Sequence, residues 1–356
     1  MASASTPILP PSALPKSLKE WQISGLHDPE TDYLAIRKGW KFLEPFFASC
    51  GYTLYQPQPA GISLRPASFK SGGGSDVGYP YARRAYTSDK EAEFHASSTR
   101  IFPATNASGQ DVVIKVIADD TLSYELQIMQ YLNTPEARSD PRNHTIPIIE
   151  FLEFGKFTFV VMPRWGQAFW PDFGTVNELM HFSQSFLEAF EFLHDNHIVH
   201  ADFLEQNTAM DVIYCDAKLY SKGLRQLSST RYALIDFDNS RQYPPNIPIE
   251  QIQETRFWNF YLRDLPEPQG AYNPFQVDII SLGLILQRWV RHIEDIVPEL
   301  GPFFDHMVTN DPEQLFTARQ ALAKFNNIYH SLSKSQLDEV VINRWWQDGI
   351  IKPKLK

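Results

Sequence analysis

Residues 176–197, "VNELMHFSQSFLEAFEFLHDNH", set Leu179, Phe182, Phe186, Phe190 and Leu193 three or four positions apart. That spacing puts all five on one stripe of an α-helix, and such a stripe must be covered by another layer of the chain. The pattern then stops. The stretch "HIVHADFLEQNTAMD" (197–211) fits neither helical nor strand periodicity and gathers His200, Asp202 and Asn207 within eight positions. Some thirty residues later "RYALIDFDNS" brings an apolar strand that ends in Asp236.

A chain of 356 residues, 43% of them hydrophobic and 13% aromatic, is long and apolar enough to build a substantial core. Its net charge of -10 excludes the basic surface that a nucleic-acid binder needs. Two cysteines, Cys50 and Cys215, are too few for a disulfide framework and read as ordinary thiols of a reducing compartment. No apolar run approaches the roughly 18 residues of a membrane span. The start "MASASTPILPPSALPKSL" lacks the charged and apolar regions of a signal peptide. These features together predict an intracellular protein, cytoplasmic or nuclear, that engages neither nucleic acid nor membrane.

Composition and periodicity divide the chain. Residues 1–18, rich in Ser and Pro, read as a disordered arm. A helical pattern over about 30–50 leads to the joint "FKSGGGSDVGYPYARR", so 19–84 form a helical extension and linker. Whether these residues pack on the rest of the chain is open. "STRIFPATNASGQDVVIKVI" predicts a hairpin turning at "NASGQ", with Val113, Lys115 and Ile117 on one face of its second strand. A short helix "TLSYELQIMQYL" and two strands in "IPIIEFLEFGKFTFVVMP" complete a strand-rich segment, 85–165. Helices dominate 166–340, including the almost wholly apolar "VDIISLGLILQRWV", and 341–356 read as a tail. The fold class is α+β, a small strand-rich lobe followed by a larger helical one.

Glu125 shares a helical face with Leu122, Met129 and Leu132, and Lys115 is flanked by Val113 and Ile117. A Lys115–Glu125 ion pair would satisfy both charges and hold the lysine straight toward phosphate oxygens. In the alternative, both side chains reach for water along their apolar stems. A carboxylate ending a buried strand, as Asp236 does, suits a hard divalent cation, although aspartates are common where strands turn. With Asp202 to orient a hydroxyl and Asn207 to offer an amide oxygen, the set has the parts that phosphoryl transfer requires.

The order Lys115, Glu125, "HADFLEQN", "DFD", "LPEP", "VDIISLG" resembles the eukaryotic protein-kinase family, over roughly residues 85–335, and within it the divergent kinase-like proteins of fungi. "VVIK" is similar to the family's lysine strand, and "HADFLEQN" to its H-R-D-x-x-x-x-N catalytic loop. "DFD" stands in place of D-F-G, "LPEP" resembles A-P-E through Pro266 and Glu267, and "VDIISLG" resembles the buried helix whose aspartate, here Asp278, ties down the catalytic loop. The resemblance implies a bilobal kinase fold and ATP with Mg2+ as cofactors. It implies Asp202 as the catalytic acceptor of the hydroxyl proton, Lys115 on the α and β phosphates, Glu125 as its brace, and Asn207 and Asp236 as metal ligands. "FVVMPRWG" is similar to the hinge that reads adenine, so Val113, Met162, Pro163 and Trp165 would line the nucleotide. Ala96, Ser97 and Ser98 would cover its phosphates. A monomer acting on a protein substrate or partner is the expected state.

The pattern also departs from the family. "FHASSTRI" contains none of the glycines of the covering loop, Ala201 replaces the arginine of H-R-D, and Leu204 replaces the catalytic-loop lysine. Asp238 replaces the D-F-G glycine, and "VIYCDAKLYSKGLRQLSSTR" is either a surface insertion or a partner site. Three functions are compatible with this mixture: an active Ser/Thr protein kinase, a pseudokinase scaffold, or a small-molecule phosphotransferase resembling aminoglycoside and choline kinases. The last group carries H-G-D-x-x-x-x-N loops and often an acid after D-F.

Overall fold

A computed structural model describes residues 14–22, 29–57, 63–67, 78–85, 93–95, 98–170, 172–214, 224–255, 270–309, 311–342, 344–347 and 349–353. Most of the expected arm and joint, Ala96, Ser97, Cys215, much of the 212–231 segment and "LPEP" lie outside these residues. The fold is mixed α+β, and the chain divides into two compact units, 1–123 with 147–164, and 124–146 with 165–356. Among the described residues no helix is long and apolar enough to cross a membrane.

The first unit is built on a five-stranded antiparallel sheet. Its order is Tyr52–Leu54, Ile101–Asn106, Asp111–Ala118, Phe157–Pro163, Glu150–Phe154. The turn at "NASGQ" is fixed by Asn106, whose Oδ1 accepts from the amides of Ser108 (3.0 Å) and Gln110 (2.9 Å). At the second hairpin Phe154 pairs with Phe157, and Gly155 takes the left-handed φ of +61° that so short a loop demands.

Alternation gives this sheet two different faces. Val112, Ile114 and Val116 point into an aromatic core with Phe159 and Val161. The helix Pro29–Ser49 supplies the other half of that core through Trp40, Leu43 and Phe47. Residues 19–57 therefore include part of the sheet's own interior, which answers the question the sequence left open. Trp40, 0% exposed, stacks on Phe102 (5.2 Å) and Phe47 (5.9 Å) and meets Trp21 edge-on (5.3 Å). At one end of the sheet, Asp111 accepts from Tyr55 Oη (2.5 Å) and Arg84 Nε (2.7 Å), while Arg164 donates to Tyr55 Oη (3.2 Å). This network satisfies groups that would be costly to bury alone.

The second unit is mainly helical. The stripe read at 176–197 becomes the helix Val176–Asp195, started by Thr175, whose side chain accepts from the Glu178 amide. It packs with the helix Pro274–Val290, capped by Asn273, and with Ala318–Ser331, which begins with a Thr317–Gln320 capping box. Gly283 is needed where Pro274–Val290 meets Leu300–Met307, since a Cβ there would come within 2.7 Å of Met307. Two small antiparallel sheets, Gly166–Gln167 with Thr208–Met210 and Tyr232–Leu234, and Ile198–Val199 with Arg241–Gln242, bracket the polar stretch after the first helix.

Truncating Trp40 should cost the first unit about 3–5 kcal/mol, the range for deleting a buried aromatic. Trp40→Phe, which keeps a ring but loses the indole bond to the Thr99 carbonyl (3.1 Å), should cost less. Urea midpoints of the two variants check the order.

Candidate functional site

The helix Pro274–Val290 fixes the loop that begins at His200. Asp278, 1% exposed, accepts the His200 amide on Oδ2 and the Ala201 amide on Oδ1, both at 2.8 Å. His194 approaches the same Oδ2 at 3.3 Å. A buried carboxylate is expensive unless its lone pairs are filled, and here three groups converge on it. Clamped in this way, Ala201 takes a left-handed φ of +65°, which an alanine adopts only under constraint. The chain turns there and delivers Asp202.

His200 is completely buried and acts as a spacer. Its Nδ1 accepts from the Asp202 amide (3.3 Å), which leaves the proton on Nε2 to donate to the Ile235 carbonyl (3.1 Å). Its ring meets Phe237 edge-on at 5.1 Å, and Ser240 Oγ donates to its carbonyl at 2.9 Å. The two strands that end at residues 199 and 234 are thereby tied together just where their polar residues begin.

Asp202, Asn207 and Asp236 consequently come together within the second unit. Asn207 Nδ2 donates to the Asp202 carbonyl (2.8 Å) and to Asp202 Oδ2 (3.1 Å), and Asn239 Nδ2 reaches the same Oδ2 at 3.3 Å. With its amide nitrogen so engaged, Asn207 keeps Oδ1 without a hydrogen-bond partner among the described residues. Its backbone joins the cluster to the Asp236 strand by another route, since the Asn207 carbonyl accepts from the Ile235 amide at 2.9 Å. Asp236 also takes a left-handed φ, +66°, which an aspartate tolerates better than most residues.

The electrostatics reflect this crowding. Burial pushes the Asp202 carboxyl above its ordinary value and the neighbouring Asp236 charge raises it further, while the amides of Asn239 and Asn207 pull it down. An amide oxygen and a carboxylate side by side match the hard, oxygen-preferring donor set of Mg2+, which keeps most of its waters and needs few protein ligands. Among the described residues no group of three His, Cys, Asp or Glu is placed to hold a metal ion.

The remaining sequence candidates divide between the two units. Val113 lies opposite Met162 and Lys115 opposite Val160, so these four share the sheet face turned away from the aromatic core. Lys115 is 5% exposed. Pro163 pairs with Val112, which puts its side chain on the other face and leaves only its backbone for the expected role. Ser98 opens the turn before Ile101–Asn106, its Oγ accepting from the Arg100 amide at 3.3 Å. Glu125, 4% exposed on the helix Tyr124–Leu132, and Trp165 belong to the second unit. Asn239 and Ser240 carry roles at the site that their sequence context barely signals. The polar run "DNS" directly after an apolar strand is their only mark.

No family model matches the chain, and no curated protein matches it.

The raised Asp202 carboxyl makes its proton a stabilising ligand of the fold below the ordinary aspartate range. That contribution is lost as pH rises through the raised value, leaving a buried charge at neutral pH. Asp202→Asn should therefore melt higher than the unmodified chain at pH 7, with the gap closing as pH falls below the ordinary aspartate range. Paired melting curves from pH 3 to 8 read it directly; a gap independent of pH would contradict the assignment.

Proposed function

We propose that the chain is a divergent protein-kinase-like phosphotransferase, with the strand-rich unit as the smaller lobe and the helical unit as the larger, that moves the γ-phosphate of ATP to Ser/Thr hydroxyls of proteins. The observation that carries this reading is the cluster of Asp202, Asn207 and Asp236 set by the Asp278 clamp. In it one carboxylate, one amide oxygen and a second carboxylate share a small, half-buried space. Few reactions need that combination, and phosphoryl transfer is one.

Asp202 orients the acceptor hydroxyl and takes its proton, a task suited to a carboxylate whose proton affinity is already raised by burial. Asn207 Oδ1 and Asp236 are the ligands for Mg2+, which when bound neutralises phosphate charge. Holding Asn207 by its nitrogen fixes which atom faces the ion. Within the first unit, Lys115 on an otherwise apolar sheet face beside Val113 and Met162 is the cation that the resemblance assigns to nucleotide phosphates. Leu204 offers no charge to the transferring group, so the reading implies a slow enzyme rather than a fast one.

The test begins with melting. Saturating ATP and MgCl2, at about a hundred times Kd, should stabilise the protein by about 2.7 kcal/mol, a rise of several degrees. Asp236→Ala should abolish the rise. Transfer of labelled phosphate to a generic protein substrate should be lost in Asp202→Asn and fall at least about a hundredfold in Lys115→Met. Binding without transfer would favour a scaffold, transfer confined to small alcohols would favour a small-molecule phosphotransferase, and no melting response would end the proposal.

A further inference from the structure

The helix Pro274–Val290 touches the catalytic-type loop at a second point. Trp289 Nε1 donates to Glu205 Oε1 at 2.6 Å, and Arg288 reaches the same oxygen at 3.4 Å. Asp278 and Trp289 are eleven residues apart, a rotation of about 1,100°, so they lie within about 20° of one face and roughly 16 Å apart along the axis. The loop from His200 to Glu205 is five residues on, turned at Ala201 and extended at Leu204, a chain that can span at most roughly 16 Å. The helix is thus a ruler: one end holds the amides of residues 200 and 201, and the other holds the side chain of residue 205.

What lies at the second mark matters for the site. Glu205 opens the short 3-10 turn Glu205–Asn207, closed by Thr208 Oγ1 donating to the Glu205 carbonyl (2.6 Å). Asn207 ends that turn, so shifting Glu205 rotates the amide beside Asp202. The indole is itself braced by the hairpin Arg344–Gln347 and Ile350–Pro353. Trp345 meets Trp289 edge-on at 5.5 Å, the Arg291 guanidinium lies 5.2 Å over Trp346, and Arg344 pairs with Asp295 at 2.5 Å.

We propose that Trp289 is a positioning residue that sets Asn207 for metal binding by holding Glu205, and that the 344–353 hairpin is its support. The metal half of this statement rests on the proposed function; the loop-holding half does not. No bond to the reacting atoms is implied, since Trp289 acts only through Glu205.

The experiment uses the full chain and two readouts. Hydrogen exchange of the segment 203–208 reports the anchor, and the MgCl2 concentration for half-maximal ATP stabilisation reports its consequence. Trp289→Phe, which keeps an apolar ring and loses the N–H, should speed exchange there and raise the magnesium requirement, each about tenfold, as expected for one lost bond to a carboxylate. Glu205→Ala, a change at a partly exposed site, should do the same from the loop side, and Glu205→Gln, which keeps an acceptor oxygen, should stay near the unmodified chain. Trp345→Ala should fall between. Unchanged exchange in Trp289→Phe and Glu205→Ala would overturn the anchor, and faster exchange with an unchanged magnesium requirement would overturn its positioning role. An unmodified chain with no magnesium response would instead overturn the proposed function and with it the metal half, the exchange data still deciding the anchor.

Discussion

A single buried carboxylate organises the helical unit. Asp278 sits in the interior, where an unpaired charge would cost several kcal/mol, and the two consecutive amides of His200 and Ala201 are what make it tolerable. The exchange works in both directions. Those amides lie at a point where the chain is leaving one short strand and has no ladder partner to satisfy them. The left-handed turn at Ala201, the aim of Asp202 and the contact of Asn207 all depend on where those two bonds hold the backbone.

Around that point the polar groups are satisfied in sequence, each by the next. His200 is fixed in one tautomer by an amide on one side and a carbonyl on the other, and Ser240 fills the His200 carbonyl. The sequence of contacts leads to Asp202, whose Oδ2 accepts from Asn207 and Asn239 and whose carboxyl feels the neighbouring Asp236 charge. In the Tyr55–Asp111–Arg84–Arg164 network of the other unit, by contrast, opposite charges and a hydroxyl meet directly.

Much of this is legible in the sequence because periodicity and turn chemistry are local. The helix at 176–195, the hairpin at "NASGQ" and the buried helix containing Asp278 all announce themselves through spacing. The polar residues Asp202, Asn207 and Asp236 do lie close together, since each ends or follows an apolar element whose direction is set by its own stripe. Other features are hidden for a physical reason. The N-terminal helix is amphipathic, and amphipathicity says that a face is buried but not against what; Trp40 cannot declare its stacking on Phe102 from sixty residues away. The hairpin at 344–353 reads as a tail although Asp348-Gly349 between "RWWQ" and "IIKP" is a strong turn signal. Its weight escapes a sequence reading because the partners of Arg344, Trp345 and Trp346, namely Asp295, Trp289 and Arg291, sit far back along the chain.

The aromatic core of the strand-rich unit has a consequence for how the chain is made. Trp40 and Phe47 belong to an early helix, yet the strands that cover them end only at Pro163. During synthesis that helix must wait, its indole and phenyl rings bare, while more than a hundred further residues emerge. At ribosomal speeds of about 5–20 residues per second the interval lasts many seconds, long enough for intermolecular association to compete with folding. The same rings that seal the finished sheet are thus exposed to aggregation while the chain is being made.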